Sequence, residues 1–229
     1  MIRLLQNIAF WLCCALSMNS WAQKDSLQLK FNFSFDKLPL EAEKWYVSKQ
    51  NDSLQFSTVK LYASNIQVYF TDHTNLKAPK QHHLVDWQEA KTYILNIGPG
   101  TNKKIKKITF DLGVDSLSSV SGALGGDLDP TRGMYWAWQS GYINFKIEGK
   151  CPTLTSRKNQ FQYHIGGYLN PNNALRKIEI IPNAANLNLI SIDLAAFFEN
   201  FKVTEFSSVM IPGNRAMKLA DNALLMFKQ

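Results

Sequence analysis

Leu27-Gln28-Leu29-Lys30-Phe31-Asn32-Phe33-Ser34-Phe35 alternates apolar and polar side chains without a break. A period of two puts all five apolar side chains on one face of an extended strand. That face must be covered by another layer, which commits the chain to sheet packing. Tyr142 to Glu148 alternates again, with Ile143, Phe145 and Ile147 expected on one face and Tyr142, Asn144, Lys146 and Glu148 on the other. Further strands are expected over 56–62, 66–70, 82–85, 92–97, 105–112, 161–166, 175–181 and 189–194, bounded by Gly, Pro and Asn. The 161–166 strand is expected to pair antiparallel with 142–148 through the connection 151–160. No long helix alternates with these strands. The pattern predicts an all-β fold, a β-sandwich or a related barrel, over residues 23–229 as a single domain. Helical patterns are confined to 194–201 and 215–227. In the second, Ala216, Leu219, Ala220, Ala223, Leu224 and Phe227 form an apolar stripe and Asn214 is the expected cap. This C-terminal helix is expected to close one end of the sandwich.

Between the strands, residues 113–131 form a long connection of small and polar residues with Gly122, Gly125, Gly126 and Pro130. A loop of this length in a compact domain is often functional. It delivers the chain to Gly133-Met134-Tyr135-Trp136-Ala137-Trp138-Gln139-Ser140-Gly141-Tyr142, which crowds a methionine, two tryptophans and two tyrosines into ten residues. In an extended segment two indoles two apart point to the same side. As core, they bury much area and need N–H partners. As function, they stack a ligand or offer an oxidisable site near the surface. The flanking glycines favour a position at the rim.

The N-terminus has a basic Arg3, an apolar run over 8–16 and a small-x-small site at Ser20-Trp21-Ala22. This predicts a secretory signal peptide over 1–22 and a mature chain beginning at Gln23. No transmembrane segment is expected in the mature chain. Two of the three cysteines, Cys13 and Cys14, leave with the signal. Cys151 alone makes no internal disulfide, so stability must come from packing. Loss of Arg3 lowers the formal charge of +7 to +6. Lys103, Lys104, Lys106 and Lys107 form the one dense basic cluster, at a strand end. With export expected and no basic helix, nucleic acid is not an expected partner.

Signatures for nucleophile elbows, zincin helices, paired Cys-x-x-Cys, haem attachment and phosphate loops are all missing. The chain is therefore not expected to be an enzyme. Neutral imidazole suits copper and zinc, and thioether sulfur suits Cu(I). His82 and His83, being adjacent, should face opposite sides of a strand, and His73 lies in a polar loop. His164, between Tyr163 and Ile165 in an aromatic strand, is the strongest candidate ligand. Its other reading is a partly buried histidine bonded to backbone. Met134 is a second candidate, and ordinary core filling is its alternative.

At this point the chain resembles a known family. Residues 134–142 followed by Lys146-Ile147-Glu148-Gly149 are similar to the signature of the MbnP-like family. Supporting pieces are 61–66, Leu84-Val85-Asp86, 108–115, 161–166, Ile192-Asp193-Leu194 and the closing stretch from Asp221-Asn222 to Phe227. Their order holds from Leu27 to Phe227. The resemblance implies a periplasmic, β-rich, copper-binding protein associated with methanobactin copper uptake. It also implies a partner, a di-haem enzyme related to cytochrome c peroxidases and MauG, which oxidises a protein tryptophan to kynurenine. Carried over, Trp136 and Trp138 are the candidates for modification, with Trp136 slightly preferred, and His164 is the candidate ligand. The chain departs from the family where members commonly carry a histidine in the first strand, here Asn32 and Ser34, and in the C-terminal loop, here Val209-Met210-Ile211-Pro212. Met210 then becomes a candidate soft ligand for Cu(I). The alternative reading is a metal-free module in which Tyr135 and Tyr142 join the tryptophans as an aromatic surface for a glycan or a protein.

Overall fold

A computed structural model describes residues 26–139, 141–183 and 186–227. The expected signal peptide lies outside them. Fourteen strands are present among the described residues: β1 Ser26–Phe35, β2 Leu38–Pro39, β3 Trp45–Val47, β4 Ser53–Phe70, β5 Asn75–Lys77, β6 His82–Asp86, β7 Ile94–Pro99, β8 Ile105–Leu112, β9 Tyr135–Trp136, β10 Gly141–Lys150, β11 Gln160–Gly166, β12 Arg176–Ile180, β13 Leu189–Asp193 and β14 Ser208–Val209. Three short helices are α1 Ser116–Val120, α2 Leu194–Phe197 and α3 Asn214–Ala223. The smaller sheet centres on β1, flanked by β13 in parallel and by β7 and β2 antiparallel. The larger follows the order β12-β8-β4-β10-β11-β14, with β3, β5 and β6 also paired to β4 and β9 to β10. The two sheets pack as a β-sandwich closed by the C-terminal helix. No helix among the described residues is long and apolar enough to cross a membrane.

The alternation of β1 does what its period requires. Leu29, Phe31, Phe33 and Phe35 are buried in the main core, and Lys30 and Asn32 are exposed. Opposite them lie Phe56, Leu61, Ile147 and Phe161 from the larger sheet. Phe197, Phe198 and Phe201 complete an aromatic centre with Phe56, Phe161 and Tyr163, all within about 6 Å ring to ring. The helical pattern expected over 194–201 holds only to Phe197. The chain leaves it at Phe198, and the N–H of Val203 turns instead to the buried Asp52 carboxylate at 2.9 Å. Cys151 is a free thiol buried in this core, 3.1 Å from the Thr153 hydroxyl. α3 presents Ala216, Leu219, Ala220 and Ala223 to the interior, and Phe227 meets Phe110 edge-on at 5.3 Å. Its cap is Gly213 rather than Asn214. Gly213 adopts φ 152°, which a side chain disfavours, and so supplies the turn into the helix.

The two strands expected over 56–62 and 66–70 are one strand of 18 residues. β4 carries irregularities opposite Gly149 and at Asn65, the latter with φ 51°. Each shifts the side-chain phase by one, which is why the sequence alternation appears interrupted. A third irregularity separates Ile143 from Phe145 in β10. It sends Phe145 and Ile147 to the main core but Ile143 to a second cluster with Tyr142. The single face expected for Ile143, Phe145 and Ile147 is therefore corrected. The expected pairing of 161–166 with 142–148 is observed, Lys146 opposite His164 and Ile147 opposite Tyr163.

Gly149 allows β4, β10 and β11 to close on one another. A Cβ there would lie 2.2 Å from the Gln55 carbonyl oxygen and 2.5 Å from the Phe161 ring. Since a backbone oxygen cannot swing aside, Gly149→Ala should lower the unfolding free energy by on the order of 1–3 kcal/mol. Urea denaturation followed by circular dichroism measures this.

Candidate functional site

β8 and β10 pair with successive stretches of β4, residues 63–70 and 55–61. Both occupy the edge of β4 opposite β6, which overlaps each of them in register. The two strands therefore diverge at Tyr62. Gly113 donates its N–H to the Tyr62 carbonyl at 2.8 Å, and Asn144 Oδ1 accepts from Val114 N–H at 3.1 Å. A Cβ on Gly113 would fall 2.2 Å from the Asn144 side chain, so only glycine fits. Around this fork, away from the main core, Tyr62, Leu84, Val114, Leu128, Met134, Trp136, Tyr142 and Ile143 form the second buried cluster. The long connection 113–134 covers it.

That cluster is the foundation for the tryptophan segment. β9 pairs with the start of β10, Trp136 opposite Gly141 and Tyr135 opposite Tyr142. The approach to β9 is held from beneath: the ammonium groups of Lys60 and Lys146 donate to the carbonyls of Arg132 and Gly133. Trp136 is buried, and its six-membered ring lies over Gly166, where a Cβ would come within 2.9 Å of it. Trp138 is 63% exposed and stacks, tilted by 44°, on Trp136 with ring centres 5.7 Å apart. One indole is thus clamped and the other presented to solvent, touching the first.

Each sequence candidate has a definite place. Tyr142 is fully buried, and its hydroxyl accepts from Leu124 N–H at 2.8 Å. Burial raises its hydroxyl pKa above the usual value. Tyr142 therefore belongs to the core and not to an aromatic surface, because the irregularity in β10 turns it inward. Tyr135 is half-buried against it at 5.0 Å. The four-ring platform is corrected to one exposed indole with a partly covered tyrosine nearby. Met134 is fully buried in the second cluster. His82 and His83 do face opposite sides. His82 is bonded to the hydroxyls of Ser64 and Ser118, and burial lowers its pKa. His83 Nε2 donates to the Thr92 carbonyl at 2.7 Å, and its ring packs on Phe31. The loop histidine, His73, is exposed.

His164 follows the same face of β11 as Gly166, two residues before it, about 7 Å along the strand from the clamped indole. Its Nε2–H donates to Glu148 Oε1 at 2.6 Å. This bond, more than any other contact, pulls the Glu148 carboxyl down to about 2; burial opposes it and the Thr58 hydroxyl reinforces it. No other side-chain hydrogen bond engages His164 among the described residues, so in a neutral ring Nδ1 would keep its lone pair. A carboxylate that fixes one ring nitrogen as N–H leaves the other as a ligand, as in many metal sites. Sequence reasoning missed Glu148 as the partner, though its register opposite Gln162 was implied by the hairpin. β14 runs parallel to β11 with Tyr163 beside Val209, and the next residues along each chain are His164 and Met210. Met210 is exposed. The sequence separation of 46 residues between them gave no hint of this proximity.

Among the described residues no group of three His, Cys, Asp or Glu side chains gathers to hold a metal. Asn32 and Ser34, the first-strand positions where the resemblance implied histidine, lie on β1 in the smaller sheet, while His164 belongs to the larger. Met134 is fully buried in the second cluster with Trp136. The residues present do not make a site of several imidazoles. One imidazole and one thioether on neighbouring strand positions fit the softer Cu(I).

The MbnP family model matches residues 24–211. This chain belongs to the MbnP family. The solved structure of MbnP from Methylosinus trichosporium superposes with a TM-score of 0.63 at 12% identity, covering 81% of this chain and 83% of that one. At that identity the likeness concerns the fold. Comparison with curated proteins gave no match.

Gly166→Ala should push Trp136 off β11 and loosen the stack, because the Tyr142 carbonyl, 2.5 Å from the new Cβ, cannot yield. A red shift of tryptophan emission in a still-folded variant is the expected sign. The Glu148 carboxyl has a folded pKa of about 2, below its ordinary 4.5. Its contribution to stability is complete above pH 4.5 and is lost as the pH falls through 2. Glu148→Gln should flatten the pH dependence of urea midpoints across that window.

Proposed function

We propose that this chain is an exported, non-enzymatic binding protein that presents Trp138 for oxidation by a partner of the di-haem cytochrome c peroxidase or MauG type. The observation that carries this reading is the indole pair, one ring clamped over Gly166 and the other open to solvent at 5.7 Å. An oxidant in a separate protein must take electrons from a ring it can approach, and Trp138 is that ring. Contact with Trp136 lets the resulting cation spread over two indoles until water adds to the ring, the haem partner takes a second electron and two protons pass to solvent. The buried cluster beneath keeps the pair from collapsing onto the surface.

A copper role accompanies it. When bound, Cu(I) would supply a soft centre held by His164 Nδ1 and the Met210 thioether. Glu148 supports this by engaging His164 through Nε2, which leaves Nδ1 as the nitrogen for a ligand role. His164 and Trp136 share one face of β11, so the metal and the indole pair would be neighbours. Periplasmic residence accords with the signal-like N-terminus and with family membership.

Intact mass and peptide mapping of protein produced with and without its haem partner test the reading. The expected result is oxygen addition on the peptide carrying Trp138, abolished by Trp138→Phe. Unmodified mass in the presence of an active partner would overturn it. Elemental analysis after loading with Cu(I) should give bound copper that falls on His164→Ala and on Met210→Leu.

A further inference from the structure

Several stretches of the chain carry no charged residue, among them 116–126, 133–145, 165–175 and 206–214. The fold brings all four to one place. The Ser116 hydroxyl donates to the Tyr168 carbonyl at 2.8 Å, and the Tyr142 hydroxyl joins the 122–124 turn to β10. The Tyr168 ring covers Gly141, where a Cβ would lie 2.9 Å from it, and Pro212 lies against Gly167. Of twelve exposed large apolar side chains among the described residues, seven sit in these segments: Leu117, Val120, Leu124, Trp138, Leu169, Met210 and Ile211. Of the charges that border them, Asp127, Arg132 and Arg176 are each held in an ion pair, Lys146 is tied to the Gly133 carbonyl, Asp115 caps Ser118, and Glu205 and Arg215 are exposed at the rim. The basic cluster lies at the other end of β8, an eight-residue strand about 26 Å long. There Lys103 pairs with Asp72 and Lys107 with Glu179.

Apolar, aromatic and methionine side chains with charge excluded are the composition of an interface centre. A charged partner face here would lose its hydration with nothing opposite to compensate. A membrane surface is the poorer match, since peripheral docking uses Lys and Arg around the apolar tip and these segments have none. We propose that this end is where the oxidase of the preceding reading docks, through an apolar and charge-free face of its own. The inference rests on that reading and adds how the partner is recognised. Leu117, Leu169 and Ile211, exposed in the segments that meet the tryptophan segment, would exclude water with Trp138 when the oxidant's face covers them. Despite a sequence pI near 9.2, the association is not steered by charge.

Titration calorimetry of the mature protein against the purified di-haem oxidase, at about 50 and about 500 mM salt, tests this. Leu117→Asp and Leu169→Asp should each weaken binding at least tenfold, about 1.4 kcal/mol. Ile94→Asp and Ile181→Asp, equally exposed elsewhere, should change it less than about twofold, with circular dichroism checking that every variant is folded. Affinity of the parent protein should hold within about threefold between the two salts. Binding that survives both loop variants, or that falls steeply with salt as charge-steered association does, would overturn the docking face while leaving Trp138 oxidation intact. Self-association lost on Leu169→Asp in sedimentation runs would give the face to a second copy and overturn it too. No binding to the oxidase under any condition would overturn both proposals.

Discussion

Everything in this fold hangs on the hydrogen-bonding edges of β4. A strand has two edges, and this one is long enough for each to serve several partners in succession. One edge takes β10 and then β8; the other takes β3, β6 and β5. Where β10 gives way to β8, backbone groups would be left unpaired in the interior, at a cost of about 1–3 kcal/mol each. Gly113 and Asn144 fill that gap, the first with its N–H and the second with its side-chain carbonyl. The fork, closed by these two bonds but with the Asn144 Nδ2 buried and unpaired, opens a second apolar surface on the outer side of the sheet.

The tryptophan segment exists in its observed form because that surface had to be covered. Met134, Trp136 and Tyr142 bury themselves there, and Trp138, two residues beyond the last anchored position, is left outside. Lys60 and Lys146 then do a structural task with charged groups. Each ammonium caps a carbonyl at the entry to β9, and burial lowers the Lys146 pKa as it does so. The exposed indole is thus the visible end of a packed unit and not a loose side chain on a loop.

The class of fold was legible where alternation was unbroken, as in β1 and in the β10–β11 hairpin. It failed wherever an extra residue shifted the phase. Asn65 divides the pattern of β4 in two, and the irregularity beside Phe145 hides that Tyr142 is a core residue. Single residues of this kind alter every assignment that follows along a strand, yet nothing in local composition marks them. The site was half legible: the indole pair and His164 stand out by residue type. Glu148 needed the register of the hairpin. Met210 needed a two-residue parallel strand that no periodicity can signal. The charge-free segments lie open in the sequence, but only the topology shows that four of them meet.

Cys151 gives the molecule a property of a different kind. Its thiol is sealed beside the aromatic centre, on the strand connection that follows β10. Folded, this thiol is shielded from oxidants and other thiols; in an unfolded mature chain that has lost the expected signal it would be the one thiol, with no internal partner. Covalent pairing between two copies is then open only to molecules that have not finished folding. In an oxidising medium the speed of folding, set largely by how soon β4 collects its distant partners, decides what share of newly made chains escapes that dead end.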